Sequence, residues 1–284
     1  MTRLVQISDP HFGTEQAPVA EALVRWVREQ APDAVLLTGD VTQRATTAQF
    51  DAARAFLARL DVPRVLAIPG NHDIPLFDLG ARLFAPYRRW THAFGPELEP
   101  EWDAPDMLVL GLNTTRAWRH KDGELSPEQI ERVARRLLRA APGQLRIVAV
   151  HQPVAVTRRE DEANLLHGHE RAVSIWRRAG ADLIMGGHIH LPFVRRLPGL
   201  RPGSRVVWAV QAGTALSSRV RAGTPNSVNL VRSAPVAGGR ACVVERWDFD
   251  VRRDAFMEVD SQPLALSAVR GPTGRRPAQP TPPA

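Results

Sequence analysis

Short apolar runs alternate with segments of helical periodicity through the first two thirds of the chain. Runs rich in Val, Leu and Ile predict buried strands. These strands are Arg3–Ser8, Ala34–Thr38, Arg64–Ile68, Met107–Leu112, Leu145–Val150 and Asp182–Met185. Apolar positions three and four residues apart predict helices between them. The helices are Val19–Gln30, Thr46–Arg59, an irregular one over Pro75–Trp90, one that Ser126 caps and that ends near Ala141, and Glu170–Ala179.

After Gly187 the pattern changes, because strand-like segments follow one another without helices between them. These segments are Phe193–Leu197, Arg205–Gln211, Ser227–Arg232, Arg240–Asp248 and Val251–Val259. An α/β part followed by consecutive strands fits two packed sheets flanked by helices. We expect a single domain over residues 1–262. Residues 263–284 are rich in Pro, Gly and Arg, which predicts a disordered tail.

Composition narrows the class of protein. The 284 residues are 44% hydrophobic and 24% charged, which is typical of a globular chain. One cysteine, Cys242, lies in an apolar run, so we expect a buried thiol and no disulfide framework. The amino terminus leaves no room for a signal peptide, and no apolar stretch is long enough to cross a bilayer, so a cytoplasmic protein is expected. The net charge of +7, almost all from arginine, favours an anionic substrate more than nucleic acid.

Five polar motifs stand where predicted strands end. They are Ser8-Asp9-Pro10-His11, Gly39-Asp40, Gly70-Asn71-His72-Asp73, His151, and Gly187-His188-Ile189-His190. Each alone is also typical of a turn or of a satisfied core histidine. The carboxyl ends of successive strands in an α/β sheet converge on one crevice, so together the motifs predict one site. Their mixed oxygen and nitrogen ligands suit Mn, Fe or Zn better than Mg or Ca.

The ordered series of motifs from Leu4 to His190 resembles the calcineurin-like metallophosphoesterase family, most of all the bacterial class III cyclic-nucleotide phosphodiesterases. The resemblance implies a four-layer α-β-β-α sandwich of two mixed sheets. It implies two metal ions (Mn, Fe or Zn), with a metal-bridging hydroxide that attacks phosphorus. It also implies roles for the motif residues: Asp9, His11 and His190 on the first metal, Asn71, His151 and His188 on the second, Asp40 bridging both, and His72 facing the substrate phosphate as the catalytic residue.

Further residues are weaker candidates. Asn113 and Arg116 follow a strand, and His167 precedes a helix, so all three are candidates for contact with substrate. Arg116, Arg119, His120 and Lys121 form either a phosphate-binding loop or a solvated basic loop. The long connection from Gly213 to Asn226 is either a pocket wall or a dimer contact. Asp73 either orients a histidine or caps a turn.

Several functions stay open on the sequence alone. The favoured one is hydrolysis of a small nucleotide phosphodiester such as a 3′,5′-cyclic nucleotide. A phosphomonoesterase, a phosphodiesterase of broad specificity and a nuclease are alternatives, although no aromatic and basic stripe for single strands is present. A non-catalytic protein-binding scaffold would have lost metal ligands, and none is missing. A homodimer is possible, and no membrane partner is expected.

Overall fold

The structure is a computed structural model that describes residues 1–199, 201, 203–221, 223–236 and 239–267. The described residues form two mixed sheets of six strands each. The first sheet contains, in spatial order, β12 (Ala255–Pro263), β11 (Gly239–Asp250), β10 (Ser227–Val236), β1 (Thr2–Ile7), β2 (Ala34–Thr38) and β3 (Val65–Ile68). The second contains β4 (Glu101–Ala104), β5 (Met107–Gly111), β6 (Leu145–Ala149), β7 (Leu183–Gly186), β9 (Trp208–Gln211) and β8 (Phe193–Arg196).

The centre of each sheet is parallel. Strands β1, β2 and β3 pair in parallel, and so do β5, β6, β7 and β9. Antiparallel strands complete the first sheet on the β10 side and the second sheet at both edges. The carboxyl ends of the parallel strands therefore open onto one end of the sandwich, where α/β folds place ligands.

The described residues contain six α-helices, and all but the short α3 cover the two outer faces. They are α1 (Ala17–Gln30), α2 (Thr47–Leu60), α3 (Leu79–Phe84), α4 (Arg88–Phe94), α5 (Pro127–Leu138) and α6 (His169–Ala179). Two of these helices begin with the capping that their sequence predicts: Ser126 and Gln129 form a reciprocal capping box at α5, and Thr46 accepts a hydrogen bond from the Gln49 amide at α2. No helix among the described residues is long and apolar enough to span a membrane.

Three apolar clusters define the layers. The middle cluster lies between the sheets and joins residues such as Leu36 and Ile68 to Met107 and Ile147. A second cluster packs α1, α2 and α4 on the first sheet, and a third packs α5 and α6 on the second sheet. Burying each large apolar side chain contributes about 1.5–3 kcal/mol, which stabilises this α-β-β-α order. The predicted four-layer sandwich is confirmed.

The predicted helix over Pro75–Trp90 is wrong in detail. It is two short helices, α3 and α4, separated at Ala85. Ala85 precedes a proline and adopts φ −152°, because a following proline disfavours helical backbone. Asp78 caps α3 through the Ala81 amide, so the residues before it are not helical.

The observed strands differ from the predicted ones in several places; for example, β9 begins at Trp208 and not at Arg205, and β10 ends at Val236 and not at Arg232. Strand β4 was not predicted, since its alternation of polar and apolar residues covers only four positions, two of them acidic. The last strand begins at Ala255 and not at Val251, because residues 251–254 form a turn in which Asp254 has φ +48°.

The packed chain continues past the predicted boundary at residue 263. Leu264 is buried in the cluster between the sheets. Trp208 donates its indole N–H to the Ala265 carbonyl (3.2 Å), and Ser267 Oγ accepts from the Val206 amide (2.8 Å). The first five residues of the predicted tail therefore belong to the fold. The rest of it, residues 268–284, lies outside the described residues.

Candidate metal centre

The loops after β1, β2, β3, β6 and β7 meet at the carboxyl end of the sheets. They carry Asp9 and His11, Asp40, Asn71 and His72, His151, and His188 and His190. Main-chain hydrogen bonds tie the loops together: the Asp9 amide donates to the Gly39 carbonyl (3.1 Å), and the His11 amide donates to the Asp40 carbonyl (3.1 Å). The five sequence motifs thus form one site.

The donor atoms fall into overlapping groups. Three groups have all their donor atoms within 4.8 Å of one another: Asp9, His11 and His190; Asp40, His151 and His188; and His11, Asp40 and His72. Asp40 connects the first two groups. Its Oδ1 lies 3.3 Å from His151 Nε2 in its own group, and its Oδ2 lies 3.8 Å from His11 Nε2 in the other. Asn71 Oδ1 is 3.2 Å from His151 Nε2 and extends the second group.

The backbone at the site is unusual. Among the described residues, nine that are not glycine have a positive φ, and five of these are site residues. They are Asp9 (50°), His11 (45°), Asp40 (48°), His188 (73°) and His190 (53°). Gly39 is required beside them, because it has φ +94° and a Cβ there would collide with the His151 ring. Such left-handed conformations cost free energy and cluster at functional sites.

Backbone carbonyls orient three of the imidazoles. The Nδ1 atoms of His151, His190 and His72 lie 2.8, 2.7 and 2.9 Å from the carbonyl oxygens of Thr38, Arg219 and Gln43, respectively. A carbonyl only accepts, so Nδ1 carries the proton and Nε2 is the atom that faces the site. This is the arrangement by which proteins fix the tautomer of a metal-binding histidine.

The two aspartates are buried and ionised. Asp9 and Asp40 are 0% and 2% exposed, and neither pairs with a lysine or arginine in the part of the chain described. Burial raises the pKa of Asp9, but the nearby His190 outweighs it and the pKa falls to about 2. Burial also opposes the charge of Asp40, while His151 holds its pKa well below the usual range. Buried carboxylates of this kind require cations.

Two of the histidines are neutral near pH 7, and one has a nitrogen that is free to bind a cation. Burial lowers the pKa of His11 and of His188 to about 3, so both rings are neutral near pH 7 and have free lone pairs. Nδ1 of His188 is buried and has no hydrogen-bond partner among the described residues. Burial lowers the pKa of His151, but Asp40 outweighs it and the pKa rises to about 9, so a metal there would displace a proton. The donor set fits two divalent metals.

Asp73 positions the loops. Its carboxylate accepts hydrogen bonds from the amides of Val41 (3.1 Å), Thr42 (2.8 Å) and Gly70 (2.9 Å). Burial, together with the charge of Asp40, raises the pKa of Asp73 to about 7. Of its two predicted roles, the structure shows the capping one, which joins the loops after β2 and β3.

The site opens into a cavity of about 410 Å³. Its wall includes Asn71, His72, His188, His190, Arg219 and Arg221. Residues 219–221 of the connection from Gly213 to Asn226 therefore form part of a pocket wall, one of the two roles considered for that connection. From the basic loop, His120 and Lys121 reach the cavity. A volume in this range suits a small ligand, and the side chains of the wall favour an anion.

The three weaker substrate candidates lie elsewhere. Asn113 Oδ1 accepts from the Thr115 amide (3.0 Å), and Arg116 Nη2 donates to Gln129 Oε1 (2.8 Å). His167 is exposed, and its main chain pairs with residues 123–125. None of the three lines the cavity, because local hydrogen bonds hold the first two against α5 and the third on the surface.

Gln43 and Asn164 are site residues that sequence reasoning missed. Asn164 lines the cavity. Gln43 holds His72 with its carbonyl, and its Oε1 lies 3.0 Å from Arg219 Nη1. The only signal for Gln43 is its place three residues after Asp40, and Asn164 carries no signal at all.

The sequence pattern of the family described as Calcineurin-like phosphoesterase matches residues 2–192. The chain belongs to this family. Two curated phosphodiesterases are similar to this calcineurin-like phosphoesterase. A "Probable cyclic nucleotide phosphodiesterase" of Synechococcus sp. is 26% identical over 205 residues, 68% of this chain and 74% of the relative. A "Probable glycerophosphodiester phosphodiesterase" of Arcobacter nitrofigilis is 26% identical over 200 residues, 66% of this chain and 71% of the relative.

Solved structures share the fold of this calcineurin-like phosphoesterase. A dimetal phosphatase from Danio rerio has a TM-score of 0.65 at 14% identity and covers 94% of this chain and 99% of its own. A purple acid phosphatase from yellow lupin, Lupinus luteus, has a TM-score of 0.65 at 14% identity, over 92% of this chain and 53% of its own. At this identity the likeness shows the fold. The predicted family is confirmed, and the chain is a metal-dependent phosphoric ester hydrolase.

Proposed function

We propose that this enzyme hydrolyses small phosphodiesters at a centre of two metals. Asp9, His11 and His190 hold one metal, Asn71, His151 and His188 hold the other, and Asp40 bridges them. The observation that carries the proposal is the pair of buried carboxylates that lack an arginine or lysine partner among the described residues and lie amid histidine nitrogens. The unpartnered Nδ1 of His188 supports it. Mn, Fe and Zn are the metals that suit this ligand set.

The reaction divides between the metals and the chain. Two dications lower the pKa of a water molecule and polarise the phosphoryl oxygens, which favours in-line attack on phosphorus. The chain orients two of the proposed ligands, His151 and His190, through the carbonyl contacts described above. His72 contributes Nε2, which faces the cavity because Nδ1 donates to Gln43. When Nε2 is protonated as well, so that the ring is an imidazolium, this nitrogen stabilises the charge that develops on the leaving oxygen or gives it a proton.

The proposed substrate is a nucleotide-sized diester, specifically a 3′,5′-cyclic nucleotide. The cavity volume and the cationic Lys121, Arg219 and Arg221 in its wall suit a compact anion. One relative carries the name of a probable cyclic nucleotide phosphodiesterase and the other that of a probable glycerophosphodiester phosphodiesterase. Both names describe diesters, which favours a diesterase over a monoesterase.

A substrate panel tests the proposal. The protein is stripped with a chelator, reloaded with Mn, Fe or Zn, and assayed on a 3′,5′-cyclic nucleotide, a glycerophosphodiester, bis-p-nitrophenyl phosphate and p-nitrophenyl phosphate. We expect about two bound metals per chain and faster turnover of diesters than of the monoester, with the cyclic nucleotide the best natural substrate. Preference for the monoester contradicts a diesterase. Preference for the glycerophosphodiester keeps the diesterase but refutes the cyclic nucleotide as its substrate.

A further inference from the structure

Arg219 lies across the mouth of the metal centre. Its Nη1 atom is 3.2 Å from His72 Nε2, 3.4 Å from His11 Nε2 and 3.0 Å from Gln43 Oε1. The side chain therefore contacts three of the loops that build the site, those after β1, β2 and β3. A cationic group in this place faces whatever anion enters the cavity.

The connection that carries Arg219 is anchored to the site. Thr214 Oγ1 donates to the Asp9 carbonyl (2.6 Å) and lies 2.7 Å from Ser217 Oγ, which accepts from the Arg219 amide (3.2 Å). The Arg219 carbonyl in turn accepts from His190 Nδ1 (2.7 Å). The main chain of this arginine is thus part of the frame of the site, and its side chain starts from a fixed point beside the histidines.

Two arginines two residues apart line the same cavity but differ in their partners. Nη1 of Arg221 lies 2.9 Å from each carboxylate oxygen of Asp161, and its Nη2 lies 2.5 Å from Glu160 Oε1. These carboxylates compensate its charge and join it to the segment that carries Asn164 to the cavity. Arg219 makes no ion pair with any described carboxylate, and its Nε and Nη2 have no acceptor in the same part of the chain. An uncompensated guanidinium fork is suited to a phosphate oxyanion.

We infer that Arg219 is a phosphate-binding catalytic residue, which contacts a non-bridging oxygen of the substrate and stabilises the charge that builds there during attack. The inference rests on the proposed phosphoesterase reaction. Arg221 is the structural member of the pair. Because the guanidinium contacts the described residues only through Nη1, its other N–H groups can donate to the phosphate without breaking the main-chain frame.

Substitutions at Arg219 test the inference. Arg219→Gln removes the charge but keeps the carbonyl that holds His190, so the bound metal measured by elemental analysis should stay at the wild-type level. We expect kcat/KM on bis-p-nitrophenyl phosphate to fall about 10–100-fold, as for loss of a charge-assisted hydrogen bond. Arg219→Lys, which keeps the charge without the fork, should restore part of the activity. The matched control Arg25→Gln removes the same charge from an exposed pair with Asp254.

Direct binding separates this inference from the proposed reaction. Orthophosphate is titrated by calorimetry into the manganese-loaded wild-type, Arg219→Gln and Arg25→Gln proteins. We expect its affinity to fall about 10–100-fold for Arg219→Gln alone. Equal phosphate affinity in all three proteins, or loss of metal from Arg219→Gln, overturns the inference. If the wild-type protein binds metal but cleaves no phosphoester, the proposed function fails while the calorimetry still decides whether Arg219 binds phosphate.

Discussion

Buried carboxylates lie at both ends of the parallel strands, but their charged partners differ between the two ends. At the carboxyl end, Asp9 and Asp40 have only histidines, amides and a hydroxyl near them among the described residues. At the amino end, Asp182 precedes β7 and is 0% exposed. It is paired with Arg205 and with Arg240, whose side chain is 1% exposed. Among the described residues, the carboxylates at one end pair with no arginine or lysine, whereas the carboxylate at the other end pairs with two arginines.

At the amino end, side chains and amides of the protein itself pair with the carboxylate of Asp182. Asp182 Oδ1 lies 2.6 Å from Arg205 Nη2 and 2.5 Å from Arg240 Nη2, and Oδ2 accepts from the Arg146 amide (3.0 Å) and from Arg240 Nε (3.1 Å). Since Arg240 belongs to β11 and Asp182 precedes β7, this ion pair also joins the two sheets. The comparison teaches that similar residues serve stability where their partners are internal, and chemistry where a partner must come from solution.

The largest expected effect is at the carboxyl end. Asp40→Ala removes the ligand proposed to bridge both metals, so we expect loss of bound metal together with loss of measurable turnover. Elemental analysis and the bis-p-nitrophenyl phosphate assay measure the two. Asp254→Ala, an exposed aspartate, is the control. Near-normal metal content in Asp40→Ala would contradict the bridging role and weaken the contrast between the ends.

His72 separates chemistry from metal binding within the same end. His72→Ala should keep both metals while kcat falls by about 10²–10⁴, because a proton donor or charge stabiliser is lost. Two quantities are measured: kcat at saturating Mn, and the bound metal by elemental analysis. If the metal is lost as well, His72 is a ligand, as its place in one of the donor groups would then indicate.

Asp182→Ala carries the comparison to the other end. Removing this carboxylate leaves buried arginines without a partner, so the free energy of unfolding should fall by about 3–5 kcal/mol. Urea denaturation of the chelated protein measures it, with Asp254→Ala as the control. Under the same conditions, Asp40→Ala should lose less stability than Asp182→Ala. Equal losses would show that the two ends do not differ in the way proposed.

How far each end follows from the sequence differs for a physical reason. Each proposed ligand follows an apolar strand within three or four residues, so local periodicity and residue type were enough to predict where it lies. Arg219 comes 29 residues after His190, in a connection without periodicity, and only the tertiary structure places its guanidinium at the site. The pairing of Asp182 with Arg240 spans 58 residues and two sheets, and no local pattern encodes it.

Metal removal is expected to change the stability of the folded protein by less than Asp182→Ala does. A ligand that binds only the folded state stabilises it by about 2.7 kcal/mol when present at 100 times its Kd. Adding Mn to the chelated wild-type protein should therefore raise Tm, and the rise should be absent from Asp40→Ala and retained by His72→Ala. Differential scanning calorimetry measures it. An equal rise in Asp40→Ala would mean that the metal binds without the bridging carboxylate.

The smallest effect is expected in the labelling of the Cys242 thiol. This thiol lies near Asp182, so its labelling rate measures how often the amino end of the strands opens. The thiol is 2% exposed, and burial, with the nearby charge of Asp182, raises its pKa to about 12. A protonated, buried thiol does not react, so a thiol reagent at pH 8 should label the native protein only through unfolding. Between the ordinary pKa and about 12 the folded chain keeps a proton that the unfolded chain releases, so stability falls as pH rises. Because Asp182→Ala is expected to destabilise the fold, it should accelerate labelling of Cys242, whereas Asp40→Ala should leave the labelling rate nearly unchanged. Fast labelling of the wild-type protein in the absence of denaturant would mean that the amino end opens locally, which would contradict its proposed role in stability.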